Sequence, residues 1–162
     1  MITKEAKMST NEDIEQQAQA VMTKYVLAAC ATGAVPVPAV SVAIIAENTL
    51  MINHIASIYG LEISLQTIAA SFGTLGTVNM IGRQVFVEAA RLLSWGAAFT
   101  GAPLLVSALG AGTAGLQTYL LGLIAIEIAK RGGKKLSQDT TVNIVRNGKK
   151  SFESFRKAAA AA

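Results

Sequence analysis

The chain has 162 residues, enough for one domain, with 14 basic and 10 acidic residues and a formal net charge of +4. Hydrophobic residues make up 52% of it and charged residues only 15%, against roughly 25% charged in an average soluble domain. Because a domain this small leaves much of its surface in water, we expect lipid or sister subunits to cover part of that surface. The aromatic content of 6% disfavours a β-sandwich or barrel.

Charge and apolarity divide the sequence into four regions. Residues 1–20 form a polar N-terminal lead, 21–135 a hydrophobic helical domain, 136–157 a basic amphipathic tail and 158–162 a low-complexity tail. A cleavable signal peptide needs basic residues followed by an apolar stretch, a pattern that the polar lead does not have. We therefore expect the protein to stay inside the cell.

A first helical hairpin is centred on two prolines. Residues 25–46 carry no charge, and Pro36 and Pro38 interrupt them. Since proline lacks a backbone donor and disfavours helix in the preceding residue, the pattern predicts helices over about 12–33 and 39–58 with a tight turn between them. Each apolar arm beside the turn has about 10 residues, which fits a hairpin that dips into one leaflet but does not cross the bilayer.

A second hairpin follows the link at Gly60, which is a candidate C-terminal stop for the preceding helix. A third helix is predicted from the candidate N-cap Ser64 to about residue 95, with a loop over 96–103. Residues 92–126 carry no charge, and a bilayer is crossed by roughly 20 apolar residues. Residues 104–126 are therefore the best candidate for a membrane span.

Small residues in this last stretch predict close helix packing. Ala108 with Gly112, and Ala111 with Gly115, are four residues apart, and Gly122 follows in the same helix. This spacing places small residues on one helix face and lets another backbone approach closely. Chance occurrence in an Ala- and Gly-rich run is the alternative interpretation.

The chain becomes basic after residue 127. Nine Lys and Arg residues lie between positions 130 and 157, against two acids, and apolar residues recur among them at helical spacing. This pattern is typical of a basic amphipathic helix on anionic lipid, and a solvated helix packed on its own bundle is the alternative. Nucleic acid is disfavoured as a partner because no base-reading motif accompanies the charge. The candidate residues for a membrane surface or a partner are Lys130, Arg131, Lys134, Lys135, Lys149, Lys150, Phe152 and Phe155.

No catalytic, cofactor or metal site is predicted. The sequence has no phosphate-binding loop, and its Gly-x-Gly-x-x-Gly pattern at 110–115 lies in an apolar helix without a preceding strand. His54 and Cys30 are the only residues of their types, too few for a structural zinc site. Glu47 is interpreted as a helix-junction acid, with a functional role in a membrane-facing helix as the alternative. We therefore expect that the protein is not an enzyme.

Several short motifs carry a family resemblance: Ala-Val-Pro-Val-Pro at 34–38, Ala-Glu-Asn at 46–48 with Met-Ile at 51–52, Ile-Tyr-Gly-Leu-Glu-Ile-Ser at 58–64, Ala-Arg-Leu-Leu at 90–93, and Tyr-Leu-x-Gly at 119–122 followed by Ala125. Over roughly residues 20–135 the sequence resembles the bacterial YcjF-like, GTPase-associated membrane domain, a domain of unknown function. The resemblance implies a helical, membrane-associated domain found attached to, or encoded near, small GTP-binding proteins. It carries over no catalytic residues. Since these residues include no GTPase motif, it implies either the partner of a separately encoded GTPase or a free-standing effector.

Together these features predict an all-α fold, with two apolar helical hairpins forming a four-helix bundle and a short basic amphipathic C-terminal helix. The expected function is that of a non-enzymatic, membrane-associated protein that self-associates and pairs with a GTP-binding protein. Two alternatives stay open: a pore-forming or membrane-permeabilising effector, and a soluble helical homo-oligomer that buries apolar faces between subunits. The expected location is the bacterial inner membrane, integral or peripheral, with the basic C-terminus in the cytoplasm.

Overall fold

The structure, a computed structural model, describes residues 4–34, 40–64, 67, 68, 70, 71 and 102–161. This part of the chain contains four long α-helices that pack together, and residues 67, 68, 70 and 71 are also helical. The prediction of an all-α fold of packed helices is thus confirmed. The helices are α1 (Lys4–Gly33), α2 (Val40–Ile58), α3 (Ala102–Lys130) and α4 (Gln138–Ala161).

Two parts of the sequence interpretation differ from this arrangement. α1 begins at Lys4 and not near residue 12, so the polar lead continues the first helix. Among the described helices, none combines the length and apolarity needed to cross a bilayer, and the span predicted over 104–126 is not shown. Those residues belong to α3, which packs against the other three helices. The prolines of the predicted turn, and most of the predicted third helix and its following loop, lie outside the described residues.

α3 runs antiparallel to α1 at the centre of the bundle. Near its middle Gly115 faces Cys30, and at its C-terminal end Lys130 bonds Glu15. The α3 residue number rises as the α1 number falls, so the two helices contact each other from Cys30 to Glu15 on α1 and from Gly115 to Lys130 on α3. α1 and α2 form an antiparallel hairpin in the same way.

A glycine makes the contact between α1 and α3 close. A Cβ placed on Gly122 would overlap the side chain of Met22, with the Met22 sulfur only 2.7 Å away. By contrast, nothing in the described part of the chain lies within 4 Å of the corresponding point on Gly112. The face of small residues on α3 that contacts α1 therefore includes Gly122 but not Gly112.

The core is aliphatic and lies around the inner faces of the first three helices. On α1 the buried residues are Ala18, Met22, Val26 and Ala29, which recur every three or four positions and so form one helix face. Burying a large aliphatic side chain contributes roughly 1.5–3 kcal/mol. The largest fully buried apolar side chains are Val26, Met51, Ile55, Leu120, Ile124 and Ile128.

Glycines with positive φ end α2 and α3 in the same manner. Gly60 has φ of 65°, and the amide of Leu61 donates to the carbonyl of Ala56 at 2.9 Å. Gly132 has φ of 70°, and the amide of Gly133 donates to the carbonyl of Ile128 at 2.9 Å. Both are Schellman ends, in which a left-handed residue lets the chain satisfy helix carbonyls that would otherwise lack donors.

Candidate functional site

α4 separates its apolar and charged residues onto opposite faces. Val145 and Phe152 are each 5% exposed, and Phe155 is partly buried on the same side. We call the side formed by Val145, Gly148, Phe152 and Phe155 the inner face. It packs mainly on α3, which corresponds to the bundle-packing alternative for this helix.

Aromatic rings hold the inner face to α3. The ring of Tyr119 lies 5.4 Å from that of Phe152 and 5.3 Å from that of Phe155, centroid to centroid. The Tyr119 hydroxyl also donates a 3.1 Å hydrogen bond to Ser151 Oγ. A Cβ on Gly148 would lie 2.6 Å from Leu120 Cδ2, so the helices are in close contact here. Phe152 is therefore covered by protein in this arrangement, and Phe155 is covered in part.

The opposite side of α4 is positively charged. Arg146, Lys150 and Lys157 are exposed, Lys149 is partly exposed, and these four residues form what we call the cationic face. Their separations of three, four and seven or more positions place them on one side of a helix. None of the four forms an ion pair with a described residue. Two acids lie on this side: Glu153 is 3.1 Å from Arg156, and Asp139 in the first turn of α4, seven positions before Arg146, forms no ion pair with a described residue.

The basic residues before α4 divide into two groups. Lys130 forms an ion pair with Glu15 at 2.9 Å, and Arg131 forms one with Glu127 at 2.7 Å. The charges of Lys130 and Arg131 are therefore paired within the bundle. The hydrogen bond that Lys130 donates to Glu15 is the main reason that the pKa of Lys130 lies above its ordinary value. Lys134 and Lys135 are instead exposed in the connection between α3 and α4 and form no ion pair with described residues.

A buried serine fastens the start of α4. Ser71 is fully buried, and its Oγ accepts a 3.1 Å hydrogen bond from the Leu136 amide. The Thr141 hydroxyl lies 3.3 Å from the Ser71 carbonyl oxygen and 3.1 Å from that of Ser137. We call these contacts between Ser71 and residues 136–141 the clasp.

The predicted packing residues lie in different environments. Gly115 lies between Cys30 and Phe152, and Gly122 lies against Met22, so both meet neighbouring side chains. The side chains of Ala108 and Ala111, together with Pro36 and Pro38, are outside the described part.

The isolated polar residues of the sequence interpretation take part in contacts between α1 and α2. The Thr32 hydroxyl donates a 2.7 Å hydrogen bond to Glu47 Oε1, while Glu47 Oε2 is buried without a partner among the described residues. His54 Nδ1 lies 3.4 Å from the Tyr25 hydroxyl. Within the described ranges, no group of three potential metal ligands comes together.

Several contributors to the site were not among the predicted site residues, including Val145 and Gly148 of the inner face and Ser71 of the clasp. Arg146 and Lys157 belong to the cationic face, and their spacing from Lys150 could have identified them. Tyr119 receives the aromatic side chains of α4, but it is more than 30 positions away in sequence and no local pattern links it to them.

The fold and the site define an all-α protein with a cationic outer helix face. The chain belongs to a family of unknown function, Domain of unknown function (DUF697), whose profile matches residues 1–152. The match includes α1, α2, α3 and α4 as far as Phe152. Comparisons with curated proteins and with solved structures gave no match.

Proposed function

We propose that this protein is a non-catalytic helical module that docks on anionic lipid through the cationic face of α4. Its place is the cytoplasmic side of a bacterial inner membrane. The observation that supports this proposal is the unpaired state of Arg146, Lys149, Lys150 and Lys157 among the described residues, on a helix side directed away from the bundle. Anionic phospholipid is the chemical complement of such a side.

The expected strength of docking follows from the number of cations. A Lys or Arg close to an anionic leaflet contributes about 1 kcal/mol, so the four residues of the cationic face together contribute about 4 kcal/mol. That free energy corresponds to an apparent dissociation constant of about 1 mM. Docking by this face alone is thus weak, reversible and sensitive to ionic strength.

Sedimentation with lipid vesicles tests the proposal. We expect the protein to sediment with vesicles that contain phosphatidylserine, to stay in the supernatant with pure phosphatidylcholine, and to be released by salt. Lys150→Glu should weaken the apparent affinity for these vesicles roughly thirtyfold, since replacing one attraction of about 1 kcal/mol with a comparable repulsion changes the binding free energy by about 2 kcal/mol.

Lys24→Glu is the matched control. Lys24 is also exposed, makes no ion pair with described residues, lies on α1, and its replacement changes the net charge by the same amount. If the two variants bind equally, the attraction comes from net charge and not from the cationic face, and the proposal is wrong. Equal binding to both kinds of vesicle would contradict it as well.

The proposal extends to self-association and to a separately encoded GTP-binding protein as a partner. Self-association is supported by Leu27 and Leu50, which are 48% and 57% exposed on the adjacent helices α1 and α2. The GTP-binding partner is supported by the resemblance of the sequence to GTPase-associated domains.

Light scattering tests self-association. Leu50→Lys should lower the mass of the assembly, while Asn143→Lys, at an exposed site on α4, should leave it unchanged. A discrete oligomer without affinity for vesicles would favour the soluble homo-oligomer. Release of a trapped dye from anionic vesicles would favour the permeabilising effector.

A further inference from the structure

α4 is attached to the bundle on one side. The inner face of α4 packs mainly on α3. An open cleft of about 480 Å³ separates much of α4 from α1. Leu123 forms part of the floor of this cleft, with Gln19 on one wall and Asn147 on the other. α4 can therefore leave without separating α1 from α3.

The connection before α4 contains the elements of a hinge and a fastening. Gly132 and Gly133 have φ of 70° and 81°, which places two residues of low steric restriction next to each other. After them the clasp joins Ser71 to Leu136 and Thr141 through hydrogen bonds of 3.1 and 3.3 Å. Movement of α4 thus requires these polar contacts to open and the inner face to separate from α3.

We propose that the inner face of α4 is a second lipid-binding surface. After docking, α4 separates from α3 and lies along the interface of the anionic bilayer, with Phe152 and Phe155 among the acyl chains and the cationic face toward the headgroups. This step rests on the proposed docking function.

When α4 leaves α3 for the bilayer, its inner face stays buried in an apolar environment. Phe152 is surrounded by apolar groups in the bundle, and the acyl region of a bilayer offers a similarly apolar environment. Separation also uncovers Tyr119 and Leu120 on α3, and the same bilayer surface covers them. The attraction between the cationic face and the headgroups then favours the membrane-bound arrangement, which is the usual energetic basis of interfacial helices.

Depth-dependent quenching tests the proposal. The only native tryptophan is replaced, Trp95→Phe, and a reporter is introduced by Phe155→Trp at a partly exposed position that tolerates a larger ring. A second protein carries Asn53→Trp, an exposed position on α2. Both are mixed with phosphatidylserine vesicles whose acyl chains are brominated. The Phe155→Trp emission should fall roughly twofold, since an interfacial helix buries its apolar side ~5–10 Å deep, while the Asn53→Trp emission should stay constant.

The outcomes separate this step from docking. Sedimentation with vesicles without quenching of either reporter means docking without insertion, and overturns the second surface while the proposed function stands. Quenching of both reporters means insertion of the whole bundle, and overturns the specific role of α4. Loss of sedimentation overturns docking, and the inserted state with it.

Opening the clasp provides an independent test. Ser71→Ala removes the acceptor of the Leu136 amide and should raise the quenching of the Phe155→Trp reporter roughly fivefold at limiting vesicle concentration. Ser57→Ala is the control, because the Ser57 hydroxyl bonds only the His54 carbonyl of its own helix among the described residues. Equal responses of the two variants would contradict a role of the clasp in holding α4, and would overturn its release.

Discussion

Thr118 donates a 2.8 Å hydrogen bond from Oγ1 to Oδ1 of Asn48, and this bond joins α3 to α2 inside the bundle. Thr118 is fully buried and Asn48 is 6% exposed, in a region otherwise filled by aliphatic side chains. A buried polar group that loses its partner keeps its desolvation cost. The pair therefore fixes how far α2 and α3 slide along each other, because any other register would separate the two groups.

This relationship predicts coupled effects on stability. Asn48→Leu should lower the free energy of unfolding by about 1–3 kcal/mol, since it leaves the Thr118 hydroxyl without its acceptor. Thr118→Val should have a similar cost. The double variant should recover much of the loss, because neither polar group is then left alone. Urea denaturation of the three variants measures the coupling.

Asn53→Leu is the control for this cycle, because Asn53 is exposed on the same helix. It should change the free energy of unfolding by no more than about 0.5 kcal/mol. Additive single effects, with no recovery in the double variant, would mean that the two side chains do not interact in solution.

Glycines of α3 should respond in opposite directions to alanine. Gly122→Ala adds a methyl group where Met22 already lies, and should lower the free energy of unfolding by about 1–3 kcal/mol through overpacking. Gly112→Ala meets nothing in the described part of the chain and should raise it by about 1 kcal/mol, because alanine is the better helix former. Thermal or urea unfolding measures both. A stabilising Gly122→Ala would show that α1 and α3 are further apart than described.

The class of the fold could be predicted from local patterns, whereas the role of α3 could not. Gly60, which follows an apolar run, predicts the end of α2, and its φ of 65° explains the choice of residue. The apolar run at 104–126 is compatible with either a membrane span or a buried helix, because leucine is equally compatible with lipid and with a protein core. The sequence pattern alone therefore does not specify which environment surrounds α3.

The candidate site was predicted in part for a similar reason. The spacing of cations and apolar residues predicts an amphipathic helix, and α4 is one. The same spacing does not specify what covers Phe152, because lipid and the Tyr119 ring can both pack against an apolar helix face. Contacts between distant residues, such as Ser71 with Leu136, have no local signal in the sequence. Such long-range pairs decide which side of α4 faces water.

Stability should decline at alkaline pH. Burial is the main cause that raises the pKa of Tyr59, and the hydrogen bond with Glu15 is the main cause that raises that of Lys130. Burial likewise raises the pKa of the Cys30 thiol, and Arg156 offsets part of that effect. A group whose pKa is higher in the folded state contributes its full stabilisation below its unfolded-state pKa. That contribution is lost as the pH rises through its folded-state pKa. We therefore expect the free energy of unfolding to fall progressively above pH 9, the ordinary value for the most acidic of these groups.

Tyr59→Phe should reduce this decline and also stabilise the protein at neutral pH. The Tyr59 hydroxyl is buried and has no hydrogen-bond partner in the described part of the chain, so its removal should raise the free energy of unfolding by about 1 kcal/mol. Tyr25→Phe is the control, because the Tyr25 hydroxyl is near His54 at an exposed site and should matter little. Urea unfolding at neutral and alkaline pH measures both effects. A destabilising Tyr59→Phe would reveal a hydrogen bond that the described contacts do not include.

Truncation of Phe152 should loosen α4 and expose the cysteine beneath it. Phe152 is 5% exposed and, with Cys30, lies beside Gly115, so Phe152→Ala should lower the free energy of unfolding by about 3 kcal/mol and leave a cavity next to the thiol. Under native conditions Cys30 should then react faster with a thiol reagent, in proportion to its increased access. Phe155→Ala, at a partly buried position that also contacts Tyr119, should cost less and change the reaction rate less. If the two truncations accelerated labelling equally, Cys30 would become accessible through general loosening of α4 and not through the cavity at Phe152.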